Sequence, residues 1–254
     1  MNVPNISTRR YIRWNNEPAS EPTSTLVLTT GESRYIDIRI FRSREGEPDL
    51  PNEGGPLDRL EWAFAGVSHS ELKEGGNENI RAAHCVWQHW VDSRTLLDEP
   101  PLEDKGDLYQ QPDGTTLEVG AMVNPRTGLM TQYQELWEEP LVECTGNDKK
   151  RLCICLTVDN PSLHTRGVVV RVGQWCEGII RVGDEVSIER WKWVPKGQKI
   201  IAEGTTAEGD WERQAKIGRI FLPCALTFVK ERVEVGNTVE VGGLTWDAME
   251  KYEW

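Results

Sequence analysis

The chain has 254 residues, a length typical of one large domain or two small ones, and 38% of them are hydrophobic, which is enough for a packed core. The formal net charge of −12 argues against nucleic acid or an anionic membrane as the main partner. Tryptophan is frequent, with 11 residues against 5 tyrosines and 4 phenylalanines, and this favours an aromatic cavity wall or an interface.

The N-terminal segment is polar and carries Arg9, Arg10 and Arg13 in place of the apolar centre of a signal peptide. No run of the sequence approaches the roughly 18 apolar residues that span a bilayer. We therefore expect a cytoplasmic protein without membrane insertion, whose six cysteines are reduced thiols.

Alternation of residue types with a period of two predicts strands over most of the chain. The first clear strand, residues 34–41, has Ile36, Ile38 and Ile40 on one face. The dipeptide Gly236-Asn237 predicts a hairpin turn between residues 231–235 and 238–241. Further predicted strands cover residues 84–92, 131–137, 151–158, 166–175 and 186–194. No segment has a long helical stripe, so the predicted class is all-β, a sandwich or barrel with little helix.

Three polar stretches interrupt the strands. Residues 44–57 and 98–114 are rich in Pro, Gly and acidic residues and are predicted to be loops. Residues 145–150 make the best boundary, which divides the chain into domains 1–147 and 148–254. The short blocks around Gly120 and Gly236 have similar spacing, so duplication of one domain is an open alternative.

Residues 84–92 (HCVWQHWVD) are the densest group of chemistry-bearing side chains. In a strand, His84 and His89 point to opposite faces, and their helical spacing also misses a common face, so they cannot share a metal ion. The segment is either the wall of a ligand pocket or a strand with one face in the core and the other in solvent, whose exposed histidine has no function. The cysteine and histidine spacings indicate no metal site elsewhere in the chain.

Residues 131–137 place Tyr133, Glu135 and Trp137 on one strand face. This polar row suits the inside of a barrel that binds a polar-edged hydrophobic ligand, or a domain interface. A nucleophile elbow, a phosphate-binding loop and a dinucleotide-binding pattern are absent from the sequence. We therefore expect no cofactor.

A series of aromatic-rich blocks begins at residues 60–66 (LEWAFAG). The series continues with Trp87-x-x-Trp90-x-Asp92, Gly120 through Glu135-Leu-Trp137, Gly173-Gln-Trp175 and Gly243-Leu-Thr-Trp246. In this order the blocks resemble the fungal Hri (Hrr-interacting) protein family over nearly the whole chain. The resemblance implies two consecutive lipocalin-like antiparallel β-barrel domains, residues 1–147 and 148–254.

The chain departs from the yeast-like pattern of that family in the stretches 44–57 and 98–114 and in the pair Trp191 and Trp193, which suits a relative with a new ligand. It is similar in size and barrel architecture to the cofactor-free hetero-Diels–Alderases of fungal tropolone sesquiterpenoid pathways. This similarity favours a cofactor-independent cyclase that joins a polyketide-derived quinone methide to a terpene alkene in an aromatic pocket. The alternative is a non-catalytic Hri-like module that binds a small molecule or a protein.

Under the cyclase hypothesis the substrate is a hydrophobic polyketide or terpenoid, and the protein supplies hydrogen-bond donors and aromatic walls. Arg171 and Trp175 share a face of the predicted strand 166–175, where guanidinium and indole could stack. The predicted donors are Tyr133, Arg171, Arg190 and His89. The predicted substrate-binding walls are Trp62, Trp87, Trp90, Trp175, Trp191 and Trp193.

Overall fold

The computed structural model describes residues 2–43, 49–73, 82–146, 150–196, 205–206 and 209–254. Regular structure in these residues is almost entirely β-strand, which confirms the all-β class. Described helix is limited to short 3₁₀ segments: Leu57–Arg59, Pro161–Leu163, Pro223–Phe228 and Lys230–Arg232. None of these described helices has the length and apolar composition needed to cross a membrane.

The first eight strands form a closed antiparallel barrel, because the eighth strand pairs with the first. These strands are β1 (Asn5–Trp14), β2 (Thr23–Thr29), β3 (Arg34–Phe41), β4 (Leu60–Leu72), β5 (Ala82–Asp92), β6 (Glu103–Gln110), β7 (Thr116–Val123) and β8 (Met130–Glu138). Closure gives each strand two hydrogen-bonded neighbours.

The second half of the chain forms a seven-stranded antiparallel sheet. Its strands follow the short strand β9 (Cys144–Thr145) and are β10 (Leu152–Asn160), β11 (Thr165–Val172), β12 (Trp175–Val182), β13 (Glu185–Pro195), β15 (Gly209–Ile217), β16 (Thr238–Val241) and β17 (Leu244–Glu253). The spatial order is β15-β13-β12-β11-β10-β17-β16, and β14 (Thr205–Thr206) pairs in parallel with β9. Residues 147–149 lie outside the described ranges, so the boundary between 147 and 148 stays a prediction.

The predicted loop 98–114 is wrong in its central part, where residues Glu103–Gln110 form β6. This strand reads EDKGDLYQ and lacks the apolar alternation that marks a half-buried strand. The strand has no apolar face of its own, and its backbone hydrogen bonds with β5 and β7 hold it in place. Of the other predicted loop, 44–57, residues 44–48 lie outside the described ranges.

The predicted hairpin at Gly236-Asn237 is also wrong. The segment Lys230–Arg232 is a 3₁₀ turn, and Val233 is buried in the core of the second half. Strand β16 pairs with β17 across Gly242 and Gly243, whose φ angles are 63° and 78°. Two consecutive residues with positive φ are what a tight type I′ hairpin turn requires, so this glycine pair makes the turn.

The predicted strand 166–175 ends earlier, at Val172. Gly173 has a φ of 53° and turns the chain, so that Trp175 begins β12. Trp175 pairs with Val172, and Arg171 pairs with Cys176. Because directly paired residues share a sheet face, Arg171 and Trp175 lie on opposite faces, contrary to the prediction.

The barrel packs directly on the second sheet through the isoleucine face of β3. Ile36, Ile38 and Ile40 are fully buried and share one hydrophobic cluster with Val168 and Val170 of β11. Burial of each such side chain contributes about 1.5–3 kcal/mol to stability. The opposite face of β3 therefore points into the barrel and forms part of its interior wall.

Candidate functional site

The interior of the barrel contains a cavity of about 280 Å³, and side chains from all eight strands line it. Strand β3 contributes the face opposite its isoleucines, and alternate residues of the other strands complete the wall. The aromatic part of the wall consists of Tyr35, Phe64, Trp87, Tyr133 and Trp137. We call this cavity the lumen.

Strand β8 confirms the polar row predicted from the sequence. Tyr133, Glu135 and Trp137 are buried and all three line the lumen. The residues between them point away, because successive side chains of a strand alternate between its two faces. The row therefore belongs to the inside of a barrel, which was one of the two alternatives.

Buried charges in the lumen wall are paired with one another. Arg39 donates to Asp37 Oδ2 through Nε at 3.0 Å and Nη2 at 2.8 Å, and its Nη1 lies 3.3 Å from Glu135 Oε1. Arg9 also donates to Glu135 Oε1, and its Nε lies 2.8 Å from Glu21 Oε2. Burial by itself lowers the pKa of Arg39, but the carboxylates of Asp37 and Glu135 raise it well above its usual value. This network satisfies charges that would otherwise be costly to bury.

Glu118 lies in the lumen wall and keeps its proton near neutral pH. Burial, followed by repulsion from Glu135, raises the pKa of Glu118 to about 8. Its Oε1 accepts a hydrogen bond from Tyr133 Oη at 2.6 Å, and its Oε2 accepts one from Trp137 Nε1 at 2.9 Å. A carboxyl group that titrates near neutrality is suited to donate a proton inside a cavity.

His89 stands behind the lumen wall in a cluster of aromatic rings. Its imidazole stacks on Phe64 at a centroid distance of 4.2 Å, and Nδ1 lies 2.7 Å from Asp92 Oδ2. Nε2 lies 3.3 Å from Asp104 Oδ2. Burial by itself lowers the pKa of His89, but Asp104 and Asp92 outweigh burial and raise it. The imidazole is therefore held in place by two carboxylates.

Four of the ten predicted site residues lie in or beside the lumen. Tyr133 and Trp87 line it, and His89 lies behind it. Trp62 packs with Tyr35 in the same aromatic cluster and donates through Nε1 to Asp92 Oδ1 at 3.0 Å.

Three predicted residues lie between the barrel and the second sheet. Arg190 is buried, with Nε 2.6 Å from Glu177 Oε1 and Nη2 donating to Ile38 O at 2.8 Å. Trp90 and Trp175 pack against the hydrophobic cluster of the same interface. The structure therefore separates them from the residues that line the lumen, although Trp90 and His89 both line a further cavity of about 460 Å³.

The remaining three lie on the far face of the second sheet. Arg171 and Trp193 line a separate cavity of about 340 Å³, in which the Arg171 guanidinium lies 4.8 Å from the Trp211 ring centroid. Trp191 donates through Nε1 to Glu189 Oε2 at 2.8 Å and packs edge-on against Phe228. The ten predicted residues thus occupy three places in the molecule.

Sequence reasoning missed several lumen residues. Asp37, Arg39, Phe64 and Glu118 line the lumen, and the sequence patterns did not single them out for function. The row in β8 could have led to Glu118. Glu118 of β7 pairs directly with Glu135 of β8, and directly paired residues share a sheet face. In the described part of the chain, no three His, Cys, Asp or Glu side chains form a group that could hold a metal ion.

Comparison with known proteins agrees with this architecture. The sequence profile of the family described as Protein HRI1 matches residues 5–250. The Protein HRI1 of Lachancea thermotolerans is 23% identical over 248 residues, which cover 89% of this chain and 85% of that protein. The crystal structure of the uncharacterized protein YLR301w of Saccharomyces cerevisiae has a TM-score of 0.68 and 19% identity, over 98% of this chain and 99% of that one. The chain belongs to the Protein HRI1 family.

Proposed function

We propose that the protein binds a small, partly polar molecule in the lumen of the barrel. The observation that carries this proposal is a cavity whose wall combines aromatic rings with buried, paired charges. Eight-stranded barrels that enclose one small ligand are a recurrent arrangement. The cavity of about 280 Å³ is just below the usual range for ligand pockets, so the ligand is compact.

Apolar packing alone does not account for the charges in this wall. Glu135 is 1% exposed and Asp37 is 3% exposed, although apolar side chains of similar size would fill the barrel at lower cost. Buried polar groups are expected in a ligand-binding site, where a few of them in an apolar wall orient the ligand, and they have no such role in a structural core.

Intrinsic fluorescence tests the proposal, because Trp87 lines the lumen and Trp193 lines the separate cavity. We expect a saturable change in emission with compact aromatic polyketide and terpenoid ligands. The variant Trp87→Phe should reduce the amplitude of this change, and the control Trp193→Phe should not. A change that depends on Trp193 and not on Trp87 would move the site out of the lumen, and unchanged emission would contradict the proposal.

A cofactor-free hetero-Diels–Alder cyclisation is the second candidate, and the Glu118–Tyr133 pair favours it. Glu118 could protonate a departing hydroxyl, and the ring hydroxyl proton lost from the substrate would return to the Glu118 carboxylate as water leaves. Tyr133 could then donate to the oxygen of the resulting heterodiene. The walls would hold the heterodiene and the alkene in a reactive geometry, which can supply roughly 7–11 kcal/mol in well-oriented systems.

The cyclase candidate predicts a change in both rate and stereochemistry. Purified protein should accelerate the cycloaddition and shift the ratio of its stereoisomers, and Glu118→Gln should slow the dehydration step about 10²–10⁴-fold. The control Glu189→Gln, on the second sheet, should leave the rate unchanged. A rate and a ratio equal to those of the uncatalysed reaction would eliminate this candidate and leave ligand binding in place.

A further inference from the structure

Two buried polar atoms in the lumen wall have no hydrogen-bond partner among the described residues: Asp37 Oδ1 and Tyr35 Oη. Asp37 is 3% exposed and Tyr35 is 2% exposed, and both side chains line the cavity. The other carboxylate oxygen of Asp37 already accepts two hydrogen bonds from Arg39. Buried polar groups are rarely left unpaired, so these two atoms offer hydrogen-bonding positions to a molecule that enters the cavity.

The charge of the wall gives the sign of that ligand. Of the described residues that line the lumen, Arg39 is cationic, whereas five carry a carboxyl group: Asp37, Asp104, Glu118, Glu135 and Glu139. Glu118 keeps its proton near neutral pH, and Glu135 is paired with two arginines. With Glu118 protonated, four carboxylates and one guanidinium line the lumen, and Arg9 and His89 beside it offset at most two of those charges, so the cavity repels anions and attracts cations.

The aromatic rings beside these atoms favour a cation as well. Tyr35 packs edge-on against Phe64 at a centroid distance of 5.9 Å, and Trp87 lines the same cavity. The faces of such rings attract a cationic nitrogen and also pack against the ring of a ligand.

We propose that the lumen binds a compact aromatic amine, whose protonated nitrogen donates hydrogen bonds to Asp37 Oδ1 and Tyr35 Oη. This inference rests on the proposed function and names its ligand class. An ammonium group supplies several N–H donors, so it can satisfy both acceptors at once. A carboxylate of the same size could accept a hydrogen bond from the Tyr35 hydroxyl, but it would meet the Asp37 carboxylate and a net negative wall.

Three probes share a phenyl ring and a chain of the same length and differ only in their polar group: 2-phenylethylamine, 2-phenylethanol and phenylacetate. They therefore distinguish an amine ligand from a neutral alcohol and from a carboxylate. Calorimetry near pH 7 should show the amine binding at least tenfold more tightly than the alcohol, and no binding of the acid. Ser68→Phe, which places a ring in the cavity wall, should abolish binding, and the control Ser162→Phe on an exposed turn should not.

Substitutions of the two acceptors identify the recognising atoms. Tyr35→Phe should weaken amine binding about three- to tenfold, because one neutral hydrogen bond is lost. Asp37→Asn should weaken it about ten- to a hundredfold, because that bond is charge-assisted. The controls Tyr252→Phe and Asp159→Asn make the same changes on the second sheet and should have no effect. Asp37→Asn also weakens the pair with Arg39, so Tyr35→Phe gives an independent test if Asp37→Asn does not fold.

The outcomes distinguish this inference from the proposed function. If the alcohol or the acid binds as tightly as the amine and Ser68→Phe abolishes that binding, lumen binding stands and the amine is overturned. If amine binding is unaffected by Tyr35→Phe and Asp37→Asn, the assignment of these acceptors is wrong. If none of the three probes binds, the inference fails, and the fluorescence panel alone decides the proposed function.

Discussion

Arg190 is expected to hold the barrel on the second sheet, and the substitution Arg190→Met tests this. Its Nε lies 2.6 Å from Glu177 Oε1, its Nη1 donates to Ser24 Oγ at 2.9 Å, and its Nη2 donates to Ile38 O at 2.8 Å. Ser24 and Ile38 belong to β2 and β3 of the barrel, whereas Arg190 and Glu177 belong to the second sheet. Methionine keeps an unbranched apolar stem like the aliphatic part of arginine and removes every donor.

The magnitude follows from what the substitution leaves behind. Glu177 is 0% exposed, and burial raises its pKa to about 8 although Arg190 opposes this shift. Above that pH, removal of Arg190 leaves a buried carboxylate without its cation, and breaking a buried ion pair in this way costs about 3–5 kcal/mol. Below that pH the Glu177 carboxyl group can hold a proton instead, so the loss should be smaller at about pH 6 than at about pH 9. The double variant Glu177→Gln with Arg190→Met contains no buried charge, so it should recover part of this loss, while the unpaired carbonyl groups still cost about 1–3 kcal/mol.

Urea unfolding of the single and double variants measures these free energies. The matched control is Arg10→Met, because Arg10 and Glu138 form a half-exposed ion pair on the barrel at 2.9 Å. Exposed pairs add little to stability, so the control should unfold close to the parent protein. If Arg190→Met costs no more than Arg10→Met, the interface does not depend on this contact. If Arg190→Met stays folded and loses ligand binding, Arg190 acts in a site instead.

Three further predictions concern pH, backbone packing and metals. The pKa of Glu118 is raised from 4.5 to about 8. Between these two pH values the folded state holds a proton that the unfolded state has lost, so the contribution of Glu118 to the free energy of unfolding falls as pH rises from 4.5 to about 8. Glu118→Gln should lack this decline when urea midpoints are compared at about pH 5 and about pH 9, and parallel losses in the two proteins would contradict it. A Cβ on Gly66 would lie 1.8 Å from Gln88 O, so Gly66→Ala should cost about 1–3 kcal/mol or more in urea unfolding. It should cost more than Gly183→Ala, whose Cβ meets nothing within 4 Å and whose cost comes only from its φ of 56°, and equal costs would be inconsistent with the clash. Exhaustive chelation should leave ligand-induced fluorescence changes intact, and recovery of a lost signal by one specific metal would argue for a metal site.

Strand β3 shows how far residue patterns extend. The alternation of Ile36, Ile38 and Ile40 with polar residues correctly predicts a strand over Arg34–Phe41. It does not reveal that Asp37 and Arg39 are buried, because a polar face suits solvent and a polar barrel interior equally well. Only the closure of the barrel removes these side chains from water.

Strand β6 is a strand that residue patterns do not predict. Its residues, from Glu103 to Gln110, are mostly polar on both faces, so no period-two hydrophobic signal exists to be found. The strand forms because β5 and β7 offer backbone donors and acceptors on either side. Long-range pairing of this kind is not encoded in the local sequence.

The tryptophan excess predicts aromatic walls, but it does not place them. Trp87 lines the lumen, Trp175 packs at the interface and Trp193 lines the separate cavity. The turn at Gly173 shows why, because one residue with positive φ sends Arg171 and Trp175 to opposite faces of the sheet.

The sequence by itself determined the all-β class, most of the strands, the shared strand face of Tyr133, Glu135 and Trp137, and the resemblance to the family. These features depend on local alternation and on short blocks of residues, which are visible in one chain. The tertiary structure alone decided that β8 pairs with β1 to close the barrel, that Glu118 and Asp37 line one shared cavity, and that the predicted site residues occupy three places. Burial and charge pairing depend on which strands become neighbours, and that choice is made by contacts between residues far apart in the chain.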